Sequence, residues 1–264
     1  MARQPREKSA TGYYHIMMRG INREFIYRTL KEKHYFMDLL KNELATCLAG
    51  YCLMDNHVHL LVNAQLDELS LVIKKLNIKY AMQYNYYNQR VGHLFQNRYK
   101  SEAIHTEPYL IQVLRYIHNN PVKAGMIQKA EDYQWSSYRE YLGNTVLISE
   151  HYKAFILSLF SGNISELVHF HQQKDDFEYL DTKEEIERNR NNLAQDIIAG
   201  FCNETGIFNA SIIKNEDRYI KEIILRLLDK TKLSHRDIAR LLEVNRGIIH
   251  YIASRRGSKQ WGVQ

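Results

Sequence analysis

Two histidines separated by a single residue, His57 and His59, have types and spacing that could bind a metal ion. On a β-strand successive side chains alternate between the two faces, so both imidazoles would project together while Val58 points into the opposite, apolar layer. A lone pair of this kind is more often unliganded than metal-bound. The two histidines could supply two nitrogen ligands to one ion, and such a site would require further ligands nearby.

A tyrosine and an asparagine four residues apart, Tyr116 and Asn120, could complete such a site. Four residues of an α-helix advance by ~400°, so the two side chains would share one face about one turn apart. The phenol could act as a nucleophile and the amide oxygen as a third ligand, which suggests phosphodiester cleavage through a covalent phosphotyrosine. Either residue could instead be structural, Tyr116 in the core and Asn120 at a helix end, and His118 is an alternative ligand.

Longer segments around these residues resemble the single-tyrosine HUH transposases. They are 54–62 (MDNHVHLLV), 92–101 (GHLFQNRYKS) and 116–125 (YIHNNPVKAG), and 14–24 (YHIMMRGINRE) resembles the first strand and loop of that family. Because of the NPVKAG sequence behind the tyrosine and an added C-terminal region, the chain is more similar to the REP-associated tyrosine transposases than to the shorter insertion-sequence enzymes. The resemblance covers roughly residues 12–142, and the combination is more specific than any single piece.

The resemblance implies a DNA transposase that cleaves and rejoins one strand, with Tyr116 as the catalytic nucleophile. It also implies His57, His59 and Asn120 as ligands of Mg²⁺ or Mn²⁺, although imidazole tolerates zinc as well. No nucleotide cofactor is expected, because the phosphotyrosine conserves the ester bond for rejoining. The expected partner is single-stranded or hairpin DNA, and the sequence leaves a homodimer open. Alternatives are a relaxase or replication initiator, a DNA-binding regulator that has lost catalysis, and a phosphodiesterase without a covalent step.

The order of apolar patterns and turn residues predicts an α+β fold for the first part of the chain. We expect strands at 13–19, in two pieces within 50–63, and at 99–105, with helices at 31–48, 67–90 and from Pro108 onward. The β-α-β-β-α-β-α order is that of a ferredoxin-like split βαβ fold, an antiparallel sheet with helices packed against it. Pro121 is expected to end the last helix directly after Asn120.

Charge divides the chain into three predicted parts. Residues 1–145 carry a net charge of +6 and form the predicted transposase domain, residues 146–217 carry −7 and form a partly helical connector, and residues 218–264 carry +7. Two basic parts suit a polyanionic partner, although such charges can simply solvate helix faces. The last part resembles a helix-turn-helix, with Ser234 as a helix cap and a second helix from Asn245. An ordinary helical hairpin is the alternative, because Glu243 stands at the turn position where such motifs usually have glycine.

Several basic and polar residues are candidates for DNA contact, since cationic groups track phosphates while aromatic rings stack on bases. They are Arg19, Arg23, Arg98, Lys100 and Lys123 in the first part and Asn245, Arg246 and His250 in the last.

The overall composition places the chain among ordinary soluble proteins. It has 264 residues, of which 45% are apolar, a mean hydropathy of −0.47, and no apolar run long enough for a membrane span or signal peptide. We therefore expect a cytoplasmic protein. Three cysteines without close spacing argue against a disulfide framework and against a thiolate zinc site.

Overall fold

The computed structural model describes residues 6–143, 145–173, 177–207, 213 and 216–255. The chain divides into two compact units, of which the first comprises Met1–Asp181 and the second Thr182–Gln264. The residues predicted to form an acidic connector, 146–217, are divided between these units.

The first unit begins with the predicted β-α-β-β-α-β-α order. Its elements are β1 (Tyr13–Arg19), α1 (Leu30–Leu44), β2 (Leu48–Leu53), β3 (His57–Asn63), α2 (Leu66–Tyr87), β4 (Lys100–Ala103) and α3 (Glu107–Lys123). The four strands form one antiparallel sheet in the order β2-β3-β1-β4. This arrangement confirms the predicted ferredoxin-like split βαβ fold.

The register of the sheet separates an apolar layer from a polar one. Val58 and Leu60 of β3 alternate with the two histidines and lie with Ile16 and Met18 in the fully apolar part of the core. On the opposite face of the sheet, Met17 is paired with His59 and Arg19 with His57. Side-chain alternation therefore puts the histidines in a common layer, as their spacing predicts.

Helix α3 lies against the histidine face of the sheet at close range. A Cβ atom added at Gly50 of β2 would come 2.7 Å from a methyl group of Leu114, so glycine lets the helix approach the strand. The helix begins at the N-cap Thr106, whose side chain accepts a hydrogen bond from the Tyr109 N–H, and Pro108 occupies its first turn.

The predicted end of α3 at Pro121 is wrong, because the helix continues to Lys123 with the proline inside it. Proline removes one N–H donor from the last turn, but the carbonyl groups of Asn120 and Pro121 still accept bonds from the N–H groups of Ala124 and Met126. Asn120 therefore lies inside α3, three residues before its last residue, Lys123.

After α3, the described part of the first unit contains three short α-helices: α4 (Tyr138–Leu142), α5 (Glu150–Ser158) and α6 (Ile164–Gln172). The buried carboxylate of Glu140 accepts hydrogen bonds from the backbone N–H groups of Val146, Leu147 and Ile148 and from the Tyr51 hydroxyl. This side chain therefore ties the loop after α4 to the central sheet. The unit ends with residues 177–181, which follow α6.

All helices of the described part of the second unit pack around one apolar core. They are α7 (Lys183–Thr205), α8 (Asp217–Lys230), α9 (His235–Leu241) and α10 (Arg246–Ser254). Ser234 caps α9 and Asn245 caps α10, as predicted. Between the two helices Glu243 takes a φ of 54°, the left-handed conformation that glycine usually supplies in such a turn. None of the helices that the structure describes is both long and apolar enough to cross a membrane.

Candidate nuclease site

Both histidines of the predicted pair are buried side by side beneath α3. His57 is 1% exposed and His59 is 0% exposed, and their ring centroids lie 4.9 Å apart. Strand β3 holds the two rings on the same face because only one residue separates them. The structure therefore places the pair as the sequence predicts.

The neighbour of His57 fixes which of its ring nitrogens carries the proton. His57 Nδ1 lies 2.7 Å from the side-chain oxygen of Asn56, which accepts hydrogen bonds and cannot donate them. The proton therefore resides on Nδ1, and Nε2 keeps the lone pair that a metal ion requires. Asn56 belongs to the turn between β2 and β3, so the turn that starts the strand also orients its first ligand.

A chain of polar contacts favours one tautomer of His59. The Tyr109 hydroxyl donates to Glu102 Oε1 at 2.8 Å, and Glu102 Oε2 faces His15 Nδ1 at 3.6 Å. The negative charge of Glu102 favours a proton on His15 Nδ1, and in that tautomer His15 Nε2 accepts from His59 Nδ1, 2.9 Å away. His59 Nε2 is then unprotonated and, among the described residues, has no hydrogen-bond partner.

Burial keeps these imidazoles neutral. Desolvation lowers the pKa of His15, opposed in part by Glu102, and it lowers the pKa of His59 well below its ordinary value, with further lowering from His57, His15 and Lys100. Because a neutral imidazole is the form that binds metals, His59 does not need to lose a proton near neutral pH to act as a ligand.

Tyr116 lies directly above the histidines, on the face of α3 that packs against the sheet. Its ring centroid is 5.7 Å from that of His59 and 5.9 Å from that of His15. The side chain is 2% exposed, and its hydroxyl donates a hydrogen bond to the carboxylate of Asp181. The ring of Tyr179 stacks on the Tyr116 ring, with the two centroids 4.4 Å apart, and Lys123 Nζ lies 4.9 Å from the Tyr116 centroid.

Asn120 and His118 occupy different environments on the same helix. Asn120 is buried one turn after the tyrosine, and its side-chain nitrogen donates to the Tyr116 carbonyl at 3.4 Å, so its oxygen is the atom that could ligate a metal. His118 contacts His171 at 2.9 Å through Nδ1 and Ser137 at 2.8 Å through Nε2. Both ring nitrogens of His118 are thus engaged in a separate buried cluster, which removes it as an alternative ligand.

Asp181 also belongs to this site, and the sequence analysis did not predict it. It is 3% exposed, and its Oδ1 lies 3.8 Å from His59 Nε2. Ligand atoms of His57, His59 and Asp181 all lie within 4.8 Å of one another, close enough to converge on a single ion. Two imidazoles and a carboxylate are a donor set that suits a divalent cation, so these residues could hold one.

The predicted DNA-contacting residues are distributed over both units. Arg23 and Arg98 are exposed, Arg19 and Lys123 are half-buried, and Lys100 donates from Nζ to the backbone carbonyl of Asp181 at 3.1 Å. In the second unit the exposed candidates are at the start of α10 and one turn later: Asn245, Arg246 and His250. The Asn245 side chain also caps that helix, so part of its hydrogen-bonding capacity is used within the unit.

The sheet, the buried histidine pair and the adjacent tyrosine form an arrangement in which a strand could supply metal ligands and a helix could supply a nucleophile. The family model described as "Transposase IS200 like" matches residues 8–120. This segment contains His57, His59 and Tyr116, but not Asp181. The predicted resemblance is thereby confirmed for this segment, since residues 8–120 match the model of a family of DNA-processing enzymes.

One solved structure resembles part of the chain. It is described as a REP-associated tyrosine transposase bound to a REP hairpin, and it matches with a TM-score of 0.45 and 17% identity over 55% of this chain and 87% of that one. No curated protein matches the sequence.

Proposed function

We propose that this protein is a metal-dependent DNA transposase that cleaves and rejoins single-stranded DNA through a 5′-phosphotyrosine on Tyr116, at hairpin-forming repeats. The observation that carries the proposal is the contact of the Tyr116 ring with His59, which is buried next to His57, within the segment that matches the transposase family. The choice of hairpin repeats as the target rests on the sequence resemblance.

The proposed metal ligands are His57, His59 and Asn120, with Mg²⁺ or Mn²⁺ as the ion. A divalent cation bound there would neutralise a non-bridging phosphate oxygen of the DNA and orient phosphorus for in-line attack. The contacts of Asn56 with His57 Nδ1 and of His15 with His59 Nδ1 support this role, because they favour the tautomers in which Nε2 is unprotonated.

The Tyr116 oxygen forms the new bond in the proposed reaction. It attacks phosphorus, the bond from phosphorus to the 3′ oxygen breaks, and the phenolic proton is replaced overall by the proton that the released 3′-OH gains. The reverse reaction, with a 3′-OH from another strand, restores the tyrosine and joins DNA without a nucleotide cofactor. A phosphate can reach the phenol only after a local rearrangement, because the side chain is 2% exposed.

DNA binding is proposed to involve both units. Around the catalytic residues the proposed contacts are Arg19, Arg23, Arg98, Lys100 and Lys123. In the second unit the exposed start of α10, with Asn245, Arg246 and His250, is the surface that a helix-turn-helix would insert into a groove.

The proposal is tested by incubating the protein with labelled single-stranded hairpin DNA and Mn²⁺ or Mg²⁺, followed by denaturing electrophoresis. Wild type should form a denaturation-resistant adduct, whereas Tyr116→Phe should bind the same DNA and form none. Tyr84→Phe is a matched control, since it also removes a phenolic hydroxyl, which there donates to the Phe25 carbonyl. An adduct in Tyr116→Phe would contradict the proposal.

A second candidate function, a DNA-binding regulator without catalysis, is favoured by one observation, the helical second unit with its turn at Glu243. It predicts DNA binding by wild type without an adduct under any metal condition.

A further inference from the structure

Asp181 lies at the end of the first unit, outside the segment that matches the transposase family. Its two carboxylate oxygens point to two different parts of the site. Oδ1 lies 3.8 Å from the unprotonated Nε2 of His59, and Oδ2 accepts the hydrogen bond from the Tyr116 hydroxyl. One side chain therefore connects the proposed metal ligands with the proposed nucleophile.

The spacing of the ligand atoms fits a shared ion. At the metal–ligand distances of ~2.0–2.2 Å that are usual for nitrogen and carboxylate ligands, two ligands of one ion lie at most ~4.4 Å apart. The ligand atoms of His57, His59 and Asp181 are within 4.8 Å of one another, so a small rotation of the side chains brings all three to one centre. The buried His59 Nε2, without a hydrogen-bond partner among the described residues, is aimed at this centre.

The backbone around Asp181 is held in place from two sides. Lys100 of β4 donates to the Asp181 carbonyl oxygen at 3.1 Å, and Tyr179 stacks between the rings of Tyr116 and Tyr109 at 4.4 and 6.1 Å. These contacts anchor residues 179–181 over α3. The carboxylate is therefore presented by a fixed segment, as precise placement of a ligand requires.

We propose that Asp181 is a carboxylate ligand of the divalent metal and, through its second oxygen, the residue that positions the Tyr116 hydroxyl next to that metal. This inference rests on the proposed function. It adds an acidic ligand to the two histidines and Asn120, and it makes the segment 179–181, which follows the family-matched domain, part of the active site. The shared carboxylate sets the distance between nucleophile and ion.

Metal binding tests the ligand role without measuring catalysis. Mn²⁺ titration of the full chain, followed by the electron paramagnetic resonance signal of free Mn²⁺, gives an affinity for wild type and for Asp181→Asn. Loss of one oxygen ligand should weaken Mn²⁺ binding by about tenfold to a hundredfold. Glu178→Gln is the matched control, because it removes the same charge from an exposed side chain three residues earlier and should bind within about twofold of wild type.

The positioning role is tested by the rate of adduct formation at saturating Mn²⁺. Asp181→Asn keeps an oxygen that can accept from the Tyr116 hydroxyl, so high Mn²⁺ should restore most of its rate. Asp181→Ala loses that acceptor, and its rate should stay about a hundredfold low even when the metal site is full, because a misplaced nucleophile reacts slowly. Circular dichroism and thermal unfolding of both variants establish that they are folded.

Two results would overturn the inference separately from the proposed function. If Mn²⁺ binding requires His57 but is equal in wild type and Asp181→Asn, the histidine site stands and Asp181 is not a ligand. If Asp181→Ala reaches the wild-type rate at saturating Mn²⁺, the residue does not position Tyr116. Absence of Mn²⁺ binding by wild type would overturn this inference together with the metal-dependent part of the proposed function.

Discussion

Replacing Glu102 by glutamine should weaken metal binding although this residue does not touch the proposed metal position. The negative charge of Glu102, with Oε2 3.6 Å from His15 Nδ1, favours the tautomer of His15 that carries its proton on Nδ1 and accepts from His59 at Nε2. A glutamine amide can donate to His15 Nδ1 instead. His15 would then carry its proton on Nε2 and donate it to His59 Nδ1, which moves the His59 proton to Nε2, where it blocks the ligand lone pair.

The size of this effect follows from the geometry of the contact. Residues that orient metal-binding histidines typically contribute tenfold to a hundredfold in affinity, roughly 1.4 to 2.8 kcal/mol. The Glu102–His15 distance is 3.6 Å and the Glu102 side chain is 34% exposed, so water can partly replace the carboxylate. We therefore expect the lower end of that range, about a tenfold loss.

Mn²⁺ titration at constant pH measures this loss, with Tyr109→Phe as the control. That variant removes the hydroxyl that donates to Glu102 Oε1 but leaves the acceptor facing His15, so its affinity should change by less than about threefold. The reasoning is refuted if Glu102→Gln binds Mn²⁺ as tightly as wild type while His59→Ala does not bind it.

Three further predictions concern stability and DNA binding. Burial lowers the pKa of His171 to about 4 from 6.5, so the unfolded chain takes up a proton that the folded chain refuses, and stability should fall by about 3 kcal/mol as pH drops from 6.5 to 4. Urea unfolding across this range measures the loss of stability. The loss should be smaller in His171→Gln than in wild type, and an equal loss in the two proteins would contradict the burial of this histidine. Glu140→Gln should cost about 2 kcal/mol or more in unfolding free energy, because a buried acceptor of three N–H groups becomes a neutral amide; an unchanged unfolding midpoint would contradict this. Arg246→Ala should weaken hairpin DNA binding and reduce the slope of log affinity against log salt by about 1, and an unchanged slope would exclude a phosphate contact.

The sequence predicts most of the first unit because its elements carry local patterns. The alternation of Val58 and Leu60 with the two histidines predicts strand β3, and side-chain alternation on that strand puts His57 and His59 on one face. Tyr116 and Asn120 likewise lie about one turn apart in α3, as their spacing predicts. The end of that helix was not predictable from Pro121, because a proline near a C-terminus removes only one donor, and neighbouring N–H groups can still complete the last turn.

The residues that complete the site lie far from it in the chain, and local pattern therefore does not reveal them. Asp181 is 65 residues after Tyr116 and stands among several acidic residues of similar appearance. His15 and Glu102 lie on strands that meet only when the sheet forms, with the pair in direct register between β1 and β4. Predicting their contacts from sequence would have required the strand order, which depends on tertiary packing.

The most direct test of the central claim is to locate the covalent bond to DNA. Wild type is incubated with a short single-stranded hairpin and Mn²⁺, the adduct is digested with nuclease and protease, and tandem mass spectrometry identifies the tyrosine that carries the phosphate. The chain has 19 tyrosines, so the position is informative. The proposed mechanism predicts a 5′-phosphonucleotide on Tyr116 alone. Modification of another tyrosine, or metal-dependent cleavage with no modified peptide, would contradict it.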